Sequence, residues 1–307
     1  MTPLLSTPYP DLRGDLDYFL SMQESQPVDR PDHSAQKWDQ RADAWEQEGP
    51  KAQKGDARVR STMAYLEERG LLRPEYEIAD IGCGPARFAA AFASRVRWVT
   101  GFDLSPRMVH YGSEYARKQG VENLTLRVAD FQALDVQEEG LEKAFDLVFS
   151  SLTPAIHGKL GLQKVVSMSR AYCCNITHIY RRNSLCRRLR EEVFHLPPEA
   201  PTWGIRWFYS LFNALLLMGY LPKTSYDSRL QERRLPPSER YASLLMEHTL
   251  PREARTPEHQ ARILDWMERN TDADGLLTES IEACYGRILW DVRVSSAPEK
   301  IHTEKEV

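Results

Sequence analysis

The chain has 307 residues, 42% hydrophobic and 27% charged, which is enough to bury the core of one large globular domain. Its formal net charge of −4 argues against bulk binding to nucleic acid. No basic leader is visible at the start. The longest apolar segment, around "WFYSLFNALLLMGYL", is shorter than the roughly 20 residues that cross a bilayer. We therefore expect a soluble, cytoplasmic protein with no membrane partner.

The first part of the chain changes character near residue 34. Residues 1–33 are rich in Pro, Asp and Ser, carry only weak helical signal, and are predicted to form a partly flexible extension. The stretch "SAQKWDQRADAWEQ" is predicted to be helical, with Trp38 and Trp45 on one face. "DARVRSTMAYLEERGLL" follows as an amphipathic helix, whose inward positions are Val59, Met63 and Leu66.

Short apolar runs then alternate with helices. "YEIADIG", "WVTGFDLS", "LTLRVAD", "AFDLVFSSL" and "AYCCNITHIY" have the composition of buried strands, and helical segments separate most of them. This alternation predicts an α/β fold in which helices cover both faces of a mostly parallel sheet. In the less regular second half, "KTSYDSRLQERRL" and "EACYGRILWDVRV" are predicted strands, and the polar tail 296–307 is predicted to be disordered.

Glycines and polar residues follow the predicted strands. Gly82 and Gly84 flank Cys83 where the first strand turns into a helix, so backbone there can approach a ligand closely. Asp103 ends the second strand about 20 residues later, where an acid accepts hydrogen bonds from ribose hydroxyls. The third strand ends in Asp130 and Phe131, which suit the edge and face of adenine, and the fourth ends in Ser150 and Ser151. Because these positions share one edge of the sheet, they predict a nucleotide site.

A dinucleotide-binding dehydrogenase would use related features, but the loop does not match its fingerprint. The spacing here is G-x-G-x-A, and position 87 is Arg where the third glycine of G-x-G-x-x-G is required. Ala86 is compatible with the loop if the following helix has already begun, because helical φ suits alanine better than glycine.

Together, "EIADIGCGPARF", "TGFDLSPRMV", "LRVADFQAL" and "FDLVFSSLTPAIH" resemble the class I S-adenosylmethionine-dependent methyltransferases, over about residues 34–180. The resemblance implies the cofactor S-adenosyl-L-methionine, with S-adenosyl-L-homocysteine as product. It also implies a role for each candidate residue along the cofactor. Asp103 would hold the ribose, and the methionine part would lie at Asp80, Gly82, Cys83 and Gly84. Adenine would contact Leu104, Met108, Asp130 and Phe131, the sulfonium would lie near Ser150 and Ser151, and a lid over the cofactor would contain Trp38 and Arg41.

The resemblance further implies a Rossmann-like three-layer sandwich, with a seven-stranded sheet in the order 3-2-1-4-5-7-6. We predict one methyltransferase domain over residues 34–295. Helical insertions that cover the substrate are predicted around 181–220 and 236–280.

Methyl transfer requires alignment and desolvation, and the chain offers one favoured base. His157 follows the fourth strand, where the family's loop faces the transferred methyl, and Thr153 would shape the same wall. A surface or helix-capping histidine is the alternative interpretation. Tyr172, His178 and Tyr180 are further base candidates, for which core packing competes.

The acceptor is predicted to be a small molecule. Trp203, Trp207 and Asn213 are candidate walls of its pocket, although plain core packing equally suits helical spacing. The arginines of "YRRNSLCRRLREE" could follow phosphates, but acidic residues follow them and the chain is net acidic, so nucleic acid is disfavoured. A cofactor-binding protein without catalysis and an RNA or protein methyltransferase are the alternatives. The expected assembly is a monomer or a homodimer.

Overall fold

The computed structural model describes residues 10–24, 34–39, 42, 56–198 and 203–294. Within these residues, seven strands form one mixed sheet. In chain order they are β1 (Glu77–Ile81), β2 (Trp98–Asp103), β3 (Leu124–Val128), β4 (Phe145–Ser151), β5 (Ser169–Asn183), β6 (Lys223–Leu235) and β7 (Leu277–Asp291). Across the sheet they follow the order β3-β2-β1-β4-β5-β7-β6, and β1 to β5 pair in parallel with their neighbours. The predicted strand order and fold class are confirmed.

Helices connect and flank these strands. They are α1 (Arg13–Glu24), α2 (Asp56–Glu67), α3 (Arg87–Ala93), α4 (Pro106–Lys118), α5 (Gly158–Met168), α6 (Ser184–Arg188), α7 (Trp203–Leu217), α8 (Glu239–Thr249) and α9 (Pro257–Arg269). Two of them begin with a side chain that caps the helix. The Ser105 hydroxyl accepts from the Met108 N–H at 3.0 Å, and Thr256 accepts from the His259 N–H at 3.2 Å. A proline follows each cap at the first helical position, where its missing N–H costs nothing.

Helix α1 lies in the segment that carries only weak helical signal in the sequence. Leu16 and Leu20, one turn apart, are both buried, and α1 packs against α5. Tertiary packing of an apolar stripe therefore forms this helix, because intrinsic propensity contributes little to a helix of 12 residues.

The chain divides into two compact units. Unit 1 comprises residues Met1–Thr177, Arg206–Ser225 and Arg287–Val307, and unit 2 comprises His178–Ile205 and Tyr226–Gly286. The predicted single domain with insertions stays a prediction, and residues 1–9, 25–33 and 295–307 lie outside the described residues.

The core of unit 1 is centred on the sheet and on α3. Phe88, Phe92 and Phe149 form an aromatic cluster, with ring centroids 4.9–6.0 Å apart. Such packing brings large apolar side chains together at native density, which rigidifies the strand ends above it. All five cysteines of the chain are buried and free, and they pack as small hydrophobic residues.

The core of unit 2 combines an apolar cluster with a buried charge. Its apolar members are Leu185, Cys186, Leu189, Ala242, Leu245, Met246, Leu250, Ile263, Trp266, Met267 and Leu277. Glu279 of β7 is fully buried and accepts hydrogen bonds from Arg233, Tyr241 and Asn183, a set that we call the Glu279 cluster. Across the described part of the chain, no helix has the length and apolar character needed to cross a membrane.

Candidate functional site

A cavity of about 400 Å³ lies in unit 1, at the carboxyl ends of the parallel strands. This is the edge where open α/β sheets bind their ligands. Its lining residues come from α2, from the residues that follow β1, β2, β3 and β4, and from the helical turn 35–39. They are Trp38, Arg58, Asp80, Gly82, Cys83, Gly84, Pro85, Arg87, Phe88, Phe102, Asp103, Leu104, Met108, Ala129, Asp130, Phe131, Gln132, Ser151, Leu152, Thr153, Pro154, Ala155 and His157.

The glycine loop closes one side of this cavity. Gly82 has φ +68° and Gly84 has φ +53°, a backbone region that side chains disfavour. A Cβ on Gly82 would lie 2.1 Å from Oγ1 of Thr153, whereas a Cβ on Gly84 would enter open space. Gly82 is therefore required by packing against the loop after β4, and Gly84 leaves bare backbone toward the cavity.

Ala86 departs from the expectation stated for it. It is the N-cap of α3 and takes the left-handed conformation, with φ 57° and ψ 26°, instead of a helical one. Alanine in this region costs roughly 1–2 kcal/mol. Its side chain is fully buried, and the absence of a side chain at Gly112 accommodates it, since a Cβ there would lie 3.0 Å from Cβ of Ala86. The expectation failed because loop closure, and not the start of the helix, fixes the conformation at this position.

Asp103 is held by the backbone on both sides. Its Oδ2 accepts from the Gly84 N–H at 2.8 Å and its Oδ1 from the Ser105 N–H at 2.9 Å. Burial raises the pKa of Asp103 above its ordinary value, although these two N–H groups oppose the shift. The carboxylate is thus fixed between the glycine loop and the start of α4, where a nucleoside could reach it.

Asp80 presents an unsatisfied oxygen at the inner end of the cavity. The residue is 2% exposed, and its Oδ2 has no hydrogen-bond partner among the described residues. Burial and the nearby Asp103 raise the pKa of Asp80 to about 8, against the backbone N–H of Ala89 and the charge of Arg58. A buried acceptor without a partner is costly, so this oxygen is suited to a donor that a ligand brings.

Arg58 brings a positive charge that the sequence interpretation did not assign to the site. It lies on α2, lines the cavity, and its guanidinium carbon is 5.4 Å from the Phe88 ring centroid. The predicted inward positions were Val59, Met63 and Leu66, but the buried residues of this helix are Thr62, Tyr65 and Leu66. Arg58 lies one turn before Thr62 on that same face, which is the signal that could have found it.

The residues after β3 form a short turn. Oδ1 of Asp130 accepts from the Gln132 N–H at 2.9 Å, and Phe131 is buried beside it. The Gln132 side chain donates to the carbonyl oxygens of Ala155 at 2.5 Å and His157 at 3.2 Å. The turn after β3 is therefore tied to the loop after β4.

The two serines at the end of β4 have different surroundings. Ser150 is buried, and its hydroxyl accepts from Nδ2 of Asn175 at 3.0 Å, so it does not line the cavity. Ser151 does line it, and its Oγ is a second buried polar atom with no partner among the described residues. Alternation of side chains along a strand explains why only one of two adjacent serines faces the cavity.

His157 lines the cavity at the residue that precedes α5. Its Nδ1 contacts the carbonyl oxygen of Pro154. Because a carbonyl only accepts, Nδ1 carries the hydrogen, and in the neutral ring Nε2 is the acceptor. Although His157 occupies the N-cap position, its side chain does not cap the helix.

The N-terminal candidates are only partly described. Trp38 lines the cavity, and the adjacent Asp39 accepts from the Ser105 hydroxyl at 2.5 Å and from the Arg107 N–H at 3.3 Å. These bonds attach the turn 35–39 to the start of α4. Arg41 lies outside the described residues.

Two of the three candidate substrate residues on α7, Trp207 and Asn213, do not line this cavity. Trp207 is buried and its Nε1 donates to Oδ1 of Asn175 at 3.3 Å, while Asn213 donates to the carbonyl of Tyr209 at 2.7 Å. Trp203 begins α7, and its side chain lies outside what the structure describes. Among the other base candidates, the Tyr180 hydroxyl donates to Glu282 at 2.8 Å, Tyr172 lies under the guanidinium of Arg293, and His178 lies beside Tyr285.

Comparison with known proteins gives a match over the same part of the chain. Residues 78–170 match a family model described as a methyltransferase domain. The 23S rRNA (uracil(1939)-C(5))-methyltransferase RlmD of Klebsiella pneumoniae is 30% identical over 104 residues, which are 34% of this chain and 23% of that protein. The uncharacterized methyltransferase YcgJ of Bacillus subtilis is 30% identical over 97 residues, which are 30% of this chain and 37% of that protein. The chain thus matches well under half the length of these relatives.

Similar solved structures include YcgJ of Bacillus subtilis, at 15% identity and a TM-score of 0.44, which covers 75% of this chain and 98% of that one. A putative methyltransferase of Bacillus halodurans has 12% identity and a TM-score of 0.46, and covers 76% of this chain and 99% of that one. At this level of similarity, the assignment rests on the strand order and the matched family model. By these two findings, residues 78–170 are similar to a methyltransferase domain and lie in a sheet with the strand order expected for one.

Proposed function

We propose that this protein transfers the methyl group of S-adenosylmethionine to a nucleophile on a small-molecule acceptor. The observation that carries the proposal is the orphaned Oδ2 of the buried Asp80, in the same cavity as a backbone-fixed Asp103 and the open loop at Gly84. An unpaired buried carboxylate oxygen calls for a cationic or N–H donor, which the amino group of the cofactor provides.

The remaining residues of the cavity fit the other parts of the cofactor. Asp103 would accept from the ribose hydroxyls, and Arg58 offers a cation for the carboxylate beside the ammonium at Asp80. Adenine would lie against the apolar and acidic residues that line the outer part of the cavity, namely Leu104, Met108, Asp130 and Phe131. No group of residues that could hold a metal ion occurs among the described side chains.

When bound, S-adenosylmethionine supplies a methyl group on a sulfonium, which is already an activated leaving group. The task of the chain is then to align the acceptor, exclude water and, for an O–H or N–H nucleophile, remove a proton. Nε2 of His157 is placed for the proton, because the Pro154 carbonyl fixes the hydrogen on Nδ1. Thr153 and Ser151 form the adjacent wall.

A small acceptor is favoured by the state of two of the five arginines in the basic run of unit 2, "YRRNSLCRRLREE". Arg188 donates to Glu192 at 2.8 Å and to Asn270 at 2.6 Å, and Arg190 donates to the carbonyls of Pro197 and Thr249. Guanidinium groups engaged in this way are poorly available for phosphates. The Klebsiella relative is named for an RNA substrate, so RNA is the second candidate. A cytoplasmic location and a monomer or homodimer complete the proposal.

Isothermal titration with S-adenosylhomocysteine tests cofactor binding. We expect the wild type to bind, and Asp103→Ala to bind about 10- to 150-fold more weakly, as expected for loss of hydrogen bonds to a charged group. Asp272→Ala is the matched control, because Asp272 caps a turn of unit 2 outside the cavity by accepting from the Asp274 N–H at 2.9 Å. Absence of binding by the wild type, or equal affinity of both variants, would overturn the proposal.

The role of His157 has a separate test. Once enzyme-dependent methylation identifies an acceptor, His157→Gln should lower kcat about 10²- to 10⁴-fold and leave the affinity for S-adenosylhomocysteine within about twofold. Stopped assays across pH measure kcat, and titration measures the affinity. Unchanged turnover of an acceptor that must lose a proton would exclude His157 as the base.

A further inference from the structure

A buried lysine of α5 contacts a turn that lines the cavity without lining the cavity itself. Lys164 of α5 is 7% exposed, and its Nζ donates to the carbonyl oxygens of Phe131 at 2.9 Å and Gln132 at 2.5 Å. These carbonyls belong to the turn after β3. The ammonium group thus holds this turn in place without itself lining the cavity.

The turn that Lys164 holds is itself tied to the loop after β4. The Gln132 side chain donates to the carbonyls of Ala155 and His157, so one chain of bonds leads from α5 through both loops. Phe131, Gln132, Ala155 and His157 all line the cavity, whereas Lys164 does not. One cation therefore supports both the turn predicted to receive adenine and the loop predicted to receive the acceptor.

The electrostatics of this position indicate more than simple packing. Burial lowers the pKa of Lys164, and the charges of Asp130 and Asp135 oppose that shift. A buried ammonium is costly unless its three donors are satisfied. Two backbone carbonyls and nearby carboxylates compensate this cost only while the turn keeps its present conformation.

We propose that Lys164 is a positioning residue, which fixes the turn after β3 and, through Gln132, the loop after β4, so that the cavity is preformed for the cofactor. This inference rests on the proposed function. In a preformed site, no binding free energy is lost in ordering the loops. Loss of the bonds from Lys164 should therefore appear mainly as weaker binding of the cofactor.

The test compares two lysines that bond carbonyls in similar ways. Lys143 is more exposed than Lys164, but it too donates to backbone carbonyls, those of Ser169 at 2.8 Å and Val166 at 3.4 Å, at the C-terminal end of α5 and outside the cavity lining. We expect Lys164→Met to weaken the binding of S-adenosylhomocysteine about tenfold or more, whereas Lys143→Met should change it less than twofold. Thermal unfolding of both variants measures their loss of stability. A merely structural role of Lys164 would not produce a loss of affinity beyond the loss of stability that the two variants share.

Adenosine serves as the second probe, because it lacks the amino-acid part of the cofactor. Its affinity should fall by a similar factor in Lys164→Met, since the supported turn lies at the adenine end. If Lys164→Met fails to fold, Lys164→Gln, which keeps an N–H donor for one of the carbonyls, should show an intermediate loss. Binding by the wild type together with equal binding by the folded variant would overturn the inference alone. Absence of binding by the wild type would overturn the proposed function and, with it, this inference.

Discussion

Glu279→Ala is expected to lower the free energy of unfolding by about 1–3 kcal/mol, because it leaves partly buried hydrogen-bond donors without their buried acceptor. Glu279 is fully buried and accepts from Nδ2 of Asn183 at 2.6 Å, from the Tyr241 hydroxyl and from the guanidinium of Arg233. Without the carboxylate, an amide, a hydroxyl and a guanidinium that is 39% exposed lose their shared partner. Urea unfolding followed by far-ultraviolet circular dichroism measures the loss.

Glu282→Ala is the matched control for this variant. Glu282 lies on the same strand, β7, and accepts from the Tyr180 hydroxyl at 2.8 Å, with Arg182 at 3.7 Å, but its side chain is 44% exposed. An exposed pair of this kind contributes about 1 kcal/mol or less. If both variants lost the same free energy of unfolding, burial would not increase the contribution of the Glu279 cluster to stability.

The Glu279 cluster also makes the stability of unit 2 depend on pH in the acidic range. Burial acts to raise the pKa of Glu279, but the hydrogen bonds from Arg233, Tyr241 and Asn183 together lower it below its ordinary value. A carboxyl group with a depressed pKa in the folded state stabilises the protein above its unfolded pKa, and the contribution is lost as the pH falls through the folded value. The difference in the free energy of unfolding between wild type and Glu279→Ala should therefore become smaller as the pH falls below the ordinary pKa range of glutamate.

The location of the candidate site could be predicted because it depends on where strands end. Asp80, Asp103 and Asp130 each follow or end an apolar run, and the parallel arrangement brings the ends of those runs to one edge. The strand order could also be predicted, once the resemblance supplied the places of the last two predicted strands in the sheet. The local pattern of apolar runs that end in polar residues was sufficient to predict where the site lies on the sheet.

Side-chain directions on helices could not be predicted in the same way. Arg58 was missed because a charged residue in an amphipathic helix is normally assigned to the solvent face. Trp207 and Asn213 were proposed as pocket residues, yet Trp207 bonds Asn175 and Asn213 bonds its own helix. Which face of a helix meets a cavity depends on its packing, and periodicity alone does not specify that choice.

Unit 2 illustrates a second limit. Its buried Glu279 lies in "GLLTESIEACYG", where nothing in the sequence distinguishes it from Glu282 three residues later. The partners Asn183, Arg233 and Tyr241 come from three other elements, separated from it by 38 to 96 residues. A buried charge of this kind is specified only by contacts that are distant along the chain.

Binding of S-adenosylhomocysteine should release close to one proton from Asp80 and should tighten about ninefold between pH 6 and pH 7. Because burial and Asp103 raise the pKa of this carboxyl to about 8, about nine-tenths of the ligand-free protein holds it protonated at pH 7. An ammonium group at its orphaned Oδ2 would favour the carboxylate, so the proton must leave on binding. Titration in two buffers with different ionisation enthalpies counts that proton.

Adenosine and Asp80→Asn separate this effect from other titrations in the cavity. Adenosine has no ammonium group, so it should bind without proton release from Asp80. Asp80→Asn should bind S-adenosylhomocysteine more weakly and with little dependence on pH. Proton release of the same size for adenosine would contradict the assignment of Asp80 to the ammonium.

The sign of the effect on stability follows from the same equilibrium. A carboxyl group whose folded pKa is raised binds more protons in the folded than in the unfolded state, between about pH 4 and its folded value of about 8. The free energy of unfolding of the ligand-free wild type should therefore decline as the pH rises through this range, and Asp80→Asn should lose that decline. Ligand binding should oppose it, because a bound ammonium removes the cost of the ionised form. The orphaned oxygen of Asp80 therefore implies that one state has two properties. When Asp80 is ionised and the cavity is empty, the protein is least stable, and the cavity then binds a cation most strongly.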